Sequence, residues 1–409
     1  MPTEKDAIIK LHGLRIRRKA MMQIINIKSS DRYSTLRQIE GWDQKIIQDA
    51  NVLVAGAGAL GNEIMKNLAL LGVGHITIVD FDVVEVSNLS RSVLFRPSDN
   101  GKPKSMLAAQ MIKQINEDIS VNAISGDIRW DVGLGVVRRM NVVIGGLDNR
   151  AARVALNQYC WATNVPWVDG ALSESAGLVR VFAPPDSACY ECGLSAIDYE
   201  EMNFRYSCQG IAFSNIISGK IPTTPITASI IGAMQVQEAV KILHHQPVLA
   251  GHELIYNANS RTYQIVSLER RSNCPAHFQL GEVIEIPEFS VETTTAGELL
   301  RHVQVDLGND AWIDLDREVV VGISCPHGRE KVFMPSHKVQ SEFIYCKICA
   351  NERVLDLTHK IDNNSPYLDN QLIQWGVPAG HILQARNAQH SIYYEITGDM
   401  PRILPWLQK

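Results

Sequence analysis

The chain has 409 residues, 45% of them hydrophobic and 20% charged, with a formal net charge of -5. That length predicts two or three domains at about 150 residues each, and the composition is that of an ordinary globular protein. The charge leaves no basic footprint for nucleic acid, no apolar run reaches the roughly 18 residues of a membrane helix, and the polar start Met1-Pro2-Thr3-Glu4-Lys5-Asp6 lacks the apolar heart of a signal peptide.

The expected setting is therefore the cytoplasm, where spaced cysteines point to metal or catalysis rather than to disulfides. Residues 1–31 carry Arg15-Ile16-Arg17-Arg18-Lys19 followed by Met21, Met22, Ile24 and Ile25. They read as an N-terminal helical extension docked on the body, with an amphipathic membrane- or partner-binding helix as the alternative.

A first domain is expected over 32–284. Asn51-Val52-Leu53-Val54-Ala55 reads as a buried strand, Asn62 to Leu71 as a helix and His75–Asp80 as a second strand. A helix from about Lys104 to Glu117 follows, then strands at Val121–Ser125 and Val142–Ile144, a long apolar helix at Ile226–Leu243, and β-like runs at Glu253–Asn257 and Tyr263–Leu268. Apolar strands alternating with helices indicate a parallel sheet covered on both faces. Between the first strand and helix lies Gly56-Ala57-Gly58-Ala59-Leu60-Gly61. Such glycines let the backbone approach a phosphate or ribose while the helix start offers N–H groups and a positive dipole end. Asp80, closing the second strand, can accept from ribose hydroxyls. Taken alone, this pattern suits any dinucleotide fold, with an NAD enzyme as its default reading.

Of the eight cysteines, Cys160 lies in an apolar helical stretch and reads as a packing thiol. Cys189 and Cys192 form a short-spaced pair that matches Cys274 and His277 as four tetrahedral zinc ligands, a filled and hence structural set. Cys208 sits in the polar stretch Phe204-Arg205-Tyr206-Ser207-Cys208-Gln209-Gly210, where a neighbouring cation favours the thiolate. Near 281–290 Pro287 and acidic residues break the pattern, and a smaller α+β domain is expected over 285–409. Its Cys325, Cys346 and Cys349 suggest a second structural zinc, with His327 or His337 as the fourth ligand.

The residues after the glycine loop narrow the reading. Asp80-Phe81-Asp82-Val83-Val84-Glu85-Val86-Ser87-Asn88-Leu89-Ser90-Arg91 resembles a signature of the ubiquitin-activating and MoeB/ThiF/HesA adenylyltransferase family. Gly101-Lys102-Pro103-Lys104 resembles its second signature and Gly146-Leu147-Asp148-Asn149-Arg150 its third. Arg32-Tyr33-Ser34 with Arg37-Gln38-Ile39 resembles the Arg-Tyr-x-Arg-Gln opening with two residues inserted, and the resemblance spans 32–270.

It implies a Rossmann-like, doubly wound and mostly parallel α/β sheet with a smaller zinc-containing domain. It further implies ATP and Mg²⁺ as cofactors beside structural Zn²⁺. Gly56, Gly58, Gly61, Asp80, Asp82, Asn88, Arg91, Lys104, Asp148 and Asn149 would bind the nucleotide, with Asp148 holding Mg²⁺. Arg37, or alternatively Arg32, would reach the phosphates from the partner subunit of a homodimer. Adenylation displaces pyrophosphate, so the growing phosphate charge must be met by cations and donors, which Asn88, Arg91 and Lys104 supply. Family members carry cysteines at both zinc pairs, so His277 departs from their pattern. Cys208 falls where the crossover segment of ubiquitin-like activating enzymes carries its thioester cysteine.

The implied substrate is the C-terminal carboxylate of a ubiquitin-like protein, handed as a thioester to a conjugating enzyme that the C-terminal domain could dock; compact bacterial activating enzymes are the best match. A sulfur-carrier adenylyltransferase of the molybdopterin or thiamine type is the alternative.

Overall fold

The structure, a computed structural model, describes residues 31–206 and 223–408. They fall into two units, one ending at Gln44 and one running from Lys45 onward. The first carries a 3-10 turn at Leu36–Gln38, with Arg37 ion-paired to Asp31. The basic stretch 15–19 of the expected extension lies outside the described residues.

The second unit is built on an eight-stranded sheet ordered β3-β2-β1-β4-β5-β6-β7-β8. β1 (Asn51–Ala55), β2 (His75–Val79), β3 (Ser120–Ile124), β4 (Val142–Gly145) and β5 (Trp167–Leu172) are parallel. β6 (Ala176–Phe182), β7 (His252–Asn257) and β8 (Thr262–Ser267) continue the sheet antiparallel. Val52, Leu53, Val54 and Ala55 are all fully buried, as expected of a strand covered on both faces. The covering helices include α1 (Ala59–Leu71), α2 (Lys104–Ile115), the short α3 (Leu134–Arg138), α4 (Arg150–Ala162) and α6 (Pro225–Leu243), and a further helix, α5 (Ala196–Tyr206), precedes α6 in the chain.

The chain winds outward from β1 to β3 and then returns to place β4 on the other side of β1. At such a reversal the loops at the strands' carboxyl ends part and leave a crevice, the usual ligand site of open α/β sheets. Ala55 is in register with both Val79 and Gly145. The loops after β1, β2 and β4 therefore leave the sheet at one level.

A second, mixed sheet follows, built from β9 (Val283–Ile286), β10 (Trp312–Cys325), β11 (Gly328–Glu330), β12 (Met334–Pro335), β13 (Val354–Ile361), β14 (Ile382–Arg386) and β15 (Ser391–Ile396). α7 (Ala296–Leu307) packs Leu299, Leu300 and Val303 into the core of this lobe. β10 runs for 14 residues and pairs β11, β12, β13 and β14. β9 pairs β15 in parallel, so a boundary between residues 284 and 285 falls inside a strand of the second lobe.

The two lobes are fastened by charge and by apolar contact. Glu395 on β15 is fully buried and ion-paired with Arg138 (2.6 Å) and Arg139, both of which also meet Glu285 on β9. Gly135 N–H donates to Gly380 O at 2.9 Å, and a side chain at Gly135 would run into Glu395. The C-terminal α8 (Met400–Ile403) then returns to the first lobe, where Met400 and Leu404 join the core that holds Val136 and Trp161. Trp406 stacks on His75 at the start of β2, with ring centroids 5.0 Å apart. No helix among the described residues is long and apolar enough to cross a membrane.

Candidate functional site

The crevice between β1 and β4 gathers the three signature segments. Gly56, directly after β1, has φ +99°, and a Cβ there would lie 2.5 Å from Gly146 O. A side chain at Gly61 would strike the carbonyl of Gly56. Glycine is thus required for the loop to turn and for α1 to sit against it. Gly58 caps α1 with extended backbone and no side-chain cap, which leaves the first N–H groups of the helix for a ligand. A Cβ at Gly58 would meet nothing within 4 Å. The backbone at the helix start is therefore not covered by side chains at that point.

The residues expected around the nucleotide are placed in turn. Asp80 Oδ2 accepts from Ala57 N at 2.6 Å and its Oδ1 from Asp82 N at 2.8 Å. Burial raises the Asp80 carboxyl above its ordinary range, against the pull of the Ala57 N–H and the Lys104 ammonium. Lys104 opens α2, is largely buried, and sets its Nζ 2.7 Å from Asp82 Oδ2. Asn88 is buried, its Oδ1 accepting from Glu85 N at 3.0 Å. Arg91 Nη1 donates to Ser87 O at 2.9 Å within its own turn. Asp148 follows β4, is exposed, and accepts from Asn149 Nδ2 at 3.2 Å. Asn149 also caps α4, its Oδ1 accepting from Ala152 N at 2.8 Å.

Three supports escaped the sequence reading. Asn62, wholly buried in α1, donates to Ala57 O at 2.8 Å and Gly58 O at 3.0 Å, and accepts from Leu94 N at 2.9 Å. It ties the glycine loop to the segment just after the first signature. Asp169 on β5 is wholly buried between Arg153 (3.0 Å) and Arg180 (2.6 Å). Arg153 also donates to Leu147 O at 2.5 Å, which anchors the loop that carries Asp148. Gln235 on α6 donates to Gly145 O at 2.7 Å. The signal was present for two of the three charges, since Asp169 and Arg180 are set in otherwise apolar strands, and a charge so buried must be paired.

Cys189, Cys192, Cys274 and His277 converge with all ligand atoms within 4.8 Å of one another. Cys189 Sγ lies 3.7 Å from Cys192 Sγ and 3.6 Å from Cys274 Sγ, and Cys192 Sγ lies 3.3 Å from His277 Nε2. A tetrahedron with Zn–S bonds of about 2.3 Å has S···S edges of about 3.7 Å, so these side chains fit zinc as they stand. His277 stacks on Trp161, and its own burial, followed by the charges of Arg270 and Arg271, lowers its pKa below the ordinary imidazole range. The centre would join the end of β6's loop to the segment after β8. We expect Cys189→Ser to lose about one equivalent of zinc and to lower the thermal unfolding midpoint, because metal-binding free energy is folding free energy here. Metal analysis and calorimetry on the same preparation check this, and an unchanged midpoint would contradict it.

Cys160 is wholly buried, and burial pushes its thiol well above the usual range, as suits a packing residue. Cys208 lies outside the described residues. His337 stacks on Trp130 at 4.6 Å, whereas His327 lies beside Cys325 and Cys346.

The ThiF family profile matches residues 30–276. The sulfur carrier protein ThiS adenylyltransferase of Escherichia coli is 30% identical over 233 residues, covering 57% of this chain and 87% of that protein. The SAMP-activating enzyme E1 of Haloferax volcanii is 31% identical over 249 residues, covering 60% and 87%. The crystal structure of E. coli MccB with succinimide shares the fold, with a TM-score of 0.51 and 23% identity over 61% of this chain and 74% of that one.

Proposed function

Because the chain belongs to the ThiF family, we propose that it is an ATP-dependent adenylyltransferase acting on the C-terminal carboxylate of a ubiquitin-like or sulfur-carrier protein. The observation that supports this is that the glycine loop, the Asp80–Asp82 segment on which Lys104 sits, and the loop carrying Asp148 leave β1, β2 and β4 at one level. A carboxylate oxygen of the carrier attacks the α-phosphorus of ATP, and the bond to pyrophosphate breaks. ATP, when bound, supplies the adenylyl group, and Mg²⁺ supplies charge for the leaving phosphates. Glycine-loop and α1 N–H groups would line the nucleotide, and Asp80 would accept from its ribose. Lys104, Arg91 and Asn88 would face the phosphates, with Arg37 or Arg32 added across a homodimer. Asp148 would hold the metal.

The named relatives include a sulfur-carrier adenylyltransferase and an E1, so both carrier classes stay in play. The presence of Cys208 does not by itself separate them, and what happens to the adenylate at that thiol is the test. If the product is a thioester, the Cys208 thiolate attacks the acyl adenylate and AMP leaves. The second lobe would then dock a conjugating enzyme. Incubated with ATP and its carrier, wild type is expected to give an adduct on non-reducing gels that dithiothreitol removes. Cys208→Ala should lack that adduct but keep adenylation, while Cys160→Ala should keep both. No adduct in the wild type, with adenylate still formed, selects the sulfur-carrier reading, in which an external sulfur donor takes the acyl group.

A further inference from the structure

The tip of the second lobe gathers metal-ligating side chains that the adenylation chemistry does not use. β10 and β11 form a tight hairpin in which Cys325 pairs with Gly328, leaving Pro326 and His327 at the turn. Cys325 Sγ lies 3.6 Å from Cys346 Sγ, and His327 Nδ1 lies 4.0 Å from it. These three ligand atoms all fall within 4.8 Å of one another, close to the edges of a zinc tetrahedron.

The turn that carries Cys346 adds an independent observation. Cys346 Sγ accepts from Ile348 N at 3.4 Å and from the N–H of Cys349, whose thiol also hydrogen-bonds to it. Backbone donors folded around one sulfur satisfy a thiolate and bring the thiol three residues on to the same side. Energetics point the same way. The buried cluster of this subregion consists of Val320, Ile323, Val332, Val339 and Ile344, a core too small to hold such a segment by apolar burial alone. The rival ligand His337 faces Trp130 instead.

We propose that Cys325, His327, Cys346 and Cys349 bind one zinc ion, separate from the Cys189 centre, that pins residues 325–353 in place. Three thiolates and an imidazole select zinc over hard cations, and a filled set makes the ion structural. The pinned segment supplies Val339 and Ile344 to the lining of a cleft of about 950 Å³ that α4 also lines, with Val154, Ala155 and Tyr159. The metal thereby keeps that cleft in shape.

Elemental analysis of the purified full chain tests this. Wild type should carry two zinc ions per chain, Cys346→Ser and Cys349→Ser one each, and His337→Ala two. Should the serine variants not fold, native wild type still decides the matter. Cys325, Cys346 and Cys349 should resist maleimide until a chelator is added and then label within the same time course. One zinc per chain in the wild type, two in Cys346→Ser, iron at this centre, or full labelling of the three thiols without chelator would overturn the proposal.

Discussion

Asp148→Ala is expected to lower carrier-dependent ATP–pyrophosphate exchange by at least about 100-fold, the usual cost of removing one electrostatic contributor to a transition state. Mg²⁺ seeks carboxylate and phosphate oxygens, and Asp148 is the exposed carboxylate at the mouth of β4. Its carboxylate accepts a hydrogen bond from the neighbouring Asn149 side chain, at 3.2 Å. The fold should therefore not need it, and the variant's thermal midpoint should match the wild type. That separates Asp148 from Lys104, which is buried and paired with Asp82, so that its loss would disturb structure as well as chemistry. Exchange within about threefold of wild type would remove Asp148 from the metal site.

Asp169→Asn is expected to cost about 3 kcal/mol in chemical denaturation, because breaking a buried ion pair strands its partner charges. The substitution keeps the shape of the side chain but leaves Arg153 and Arg180 without their shared anion. Exchange should fall too, although Asp169 touches no nucleotide, since Arg153 also holds Leu147 O beside Asp148. A loss below about 1 kcal/mol would mean that the triad is better solvated than its burial indicates.

What the sequence made legible was local. Asn51–Ala55 could be recognised as a doubly covered strand because it has no polar alternation, and the glycine loop because only glycine tolerates φ +99° against Gly146. β5 and β6 escaped because Asp169 and Arg180 interrupt their apolar runs, and only the fold pairs those charges. The start of α1 lay three residues earlier than periodicity suggested, since its N-cap is Gly58 itself. β9 was hidden by its acidic residues. Glu285 belongs there because Arg138 and Arg139, nearly 150 positions earlier, stand opposite it. The cysteine pairs were readable from spacing, but the choice of His327 beside Cys346 required the hairpin. Contact between the lobes left no trace in composition or period. Nothing in Met400 or Leu404 announces that they complete the core of the first lobe.

The most direct test of the adenylation account is ATP–pyrophosphate exchange by the full chain, with and without a small carrier protein that ends in a free glycine carboxylate. Exchange should require both Mg²⁺ and the intact carrier, and should vanish when the carrier's last residue is removed. Exchange that ignores the carrier's C-terminus, or no exchange with any carrier together with turnover of a nicotinamide cofactor, would contradict it.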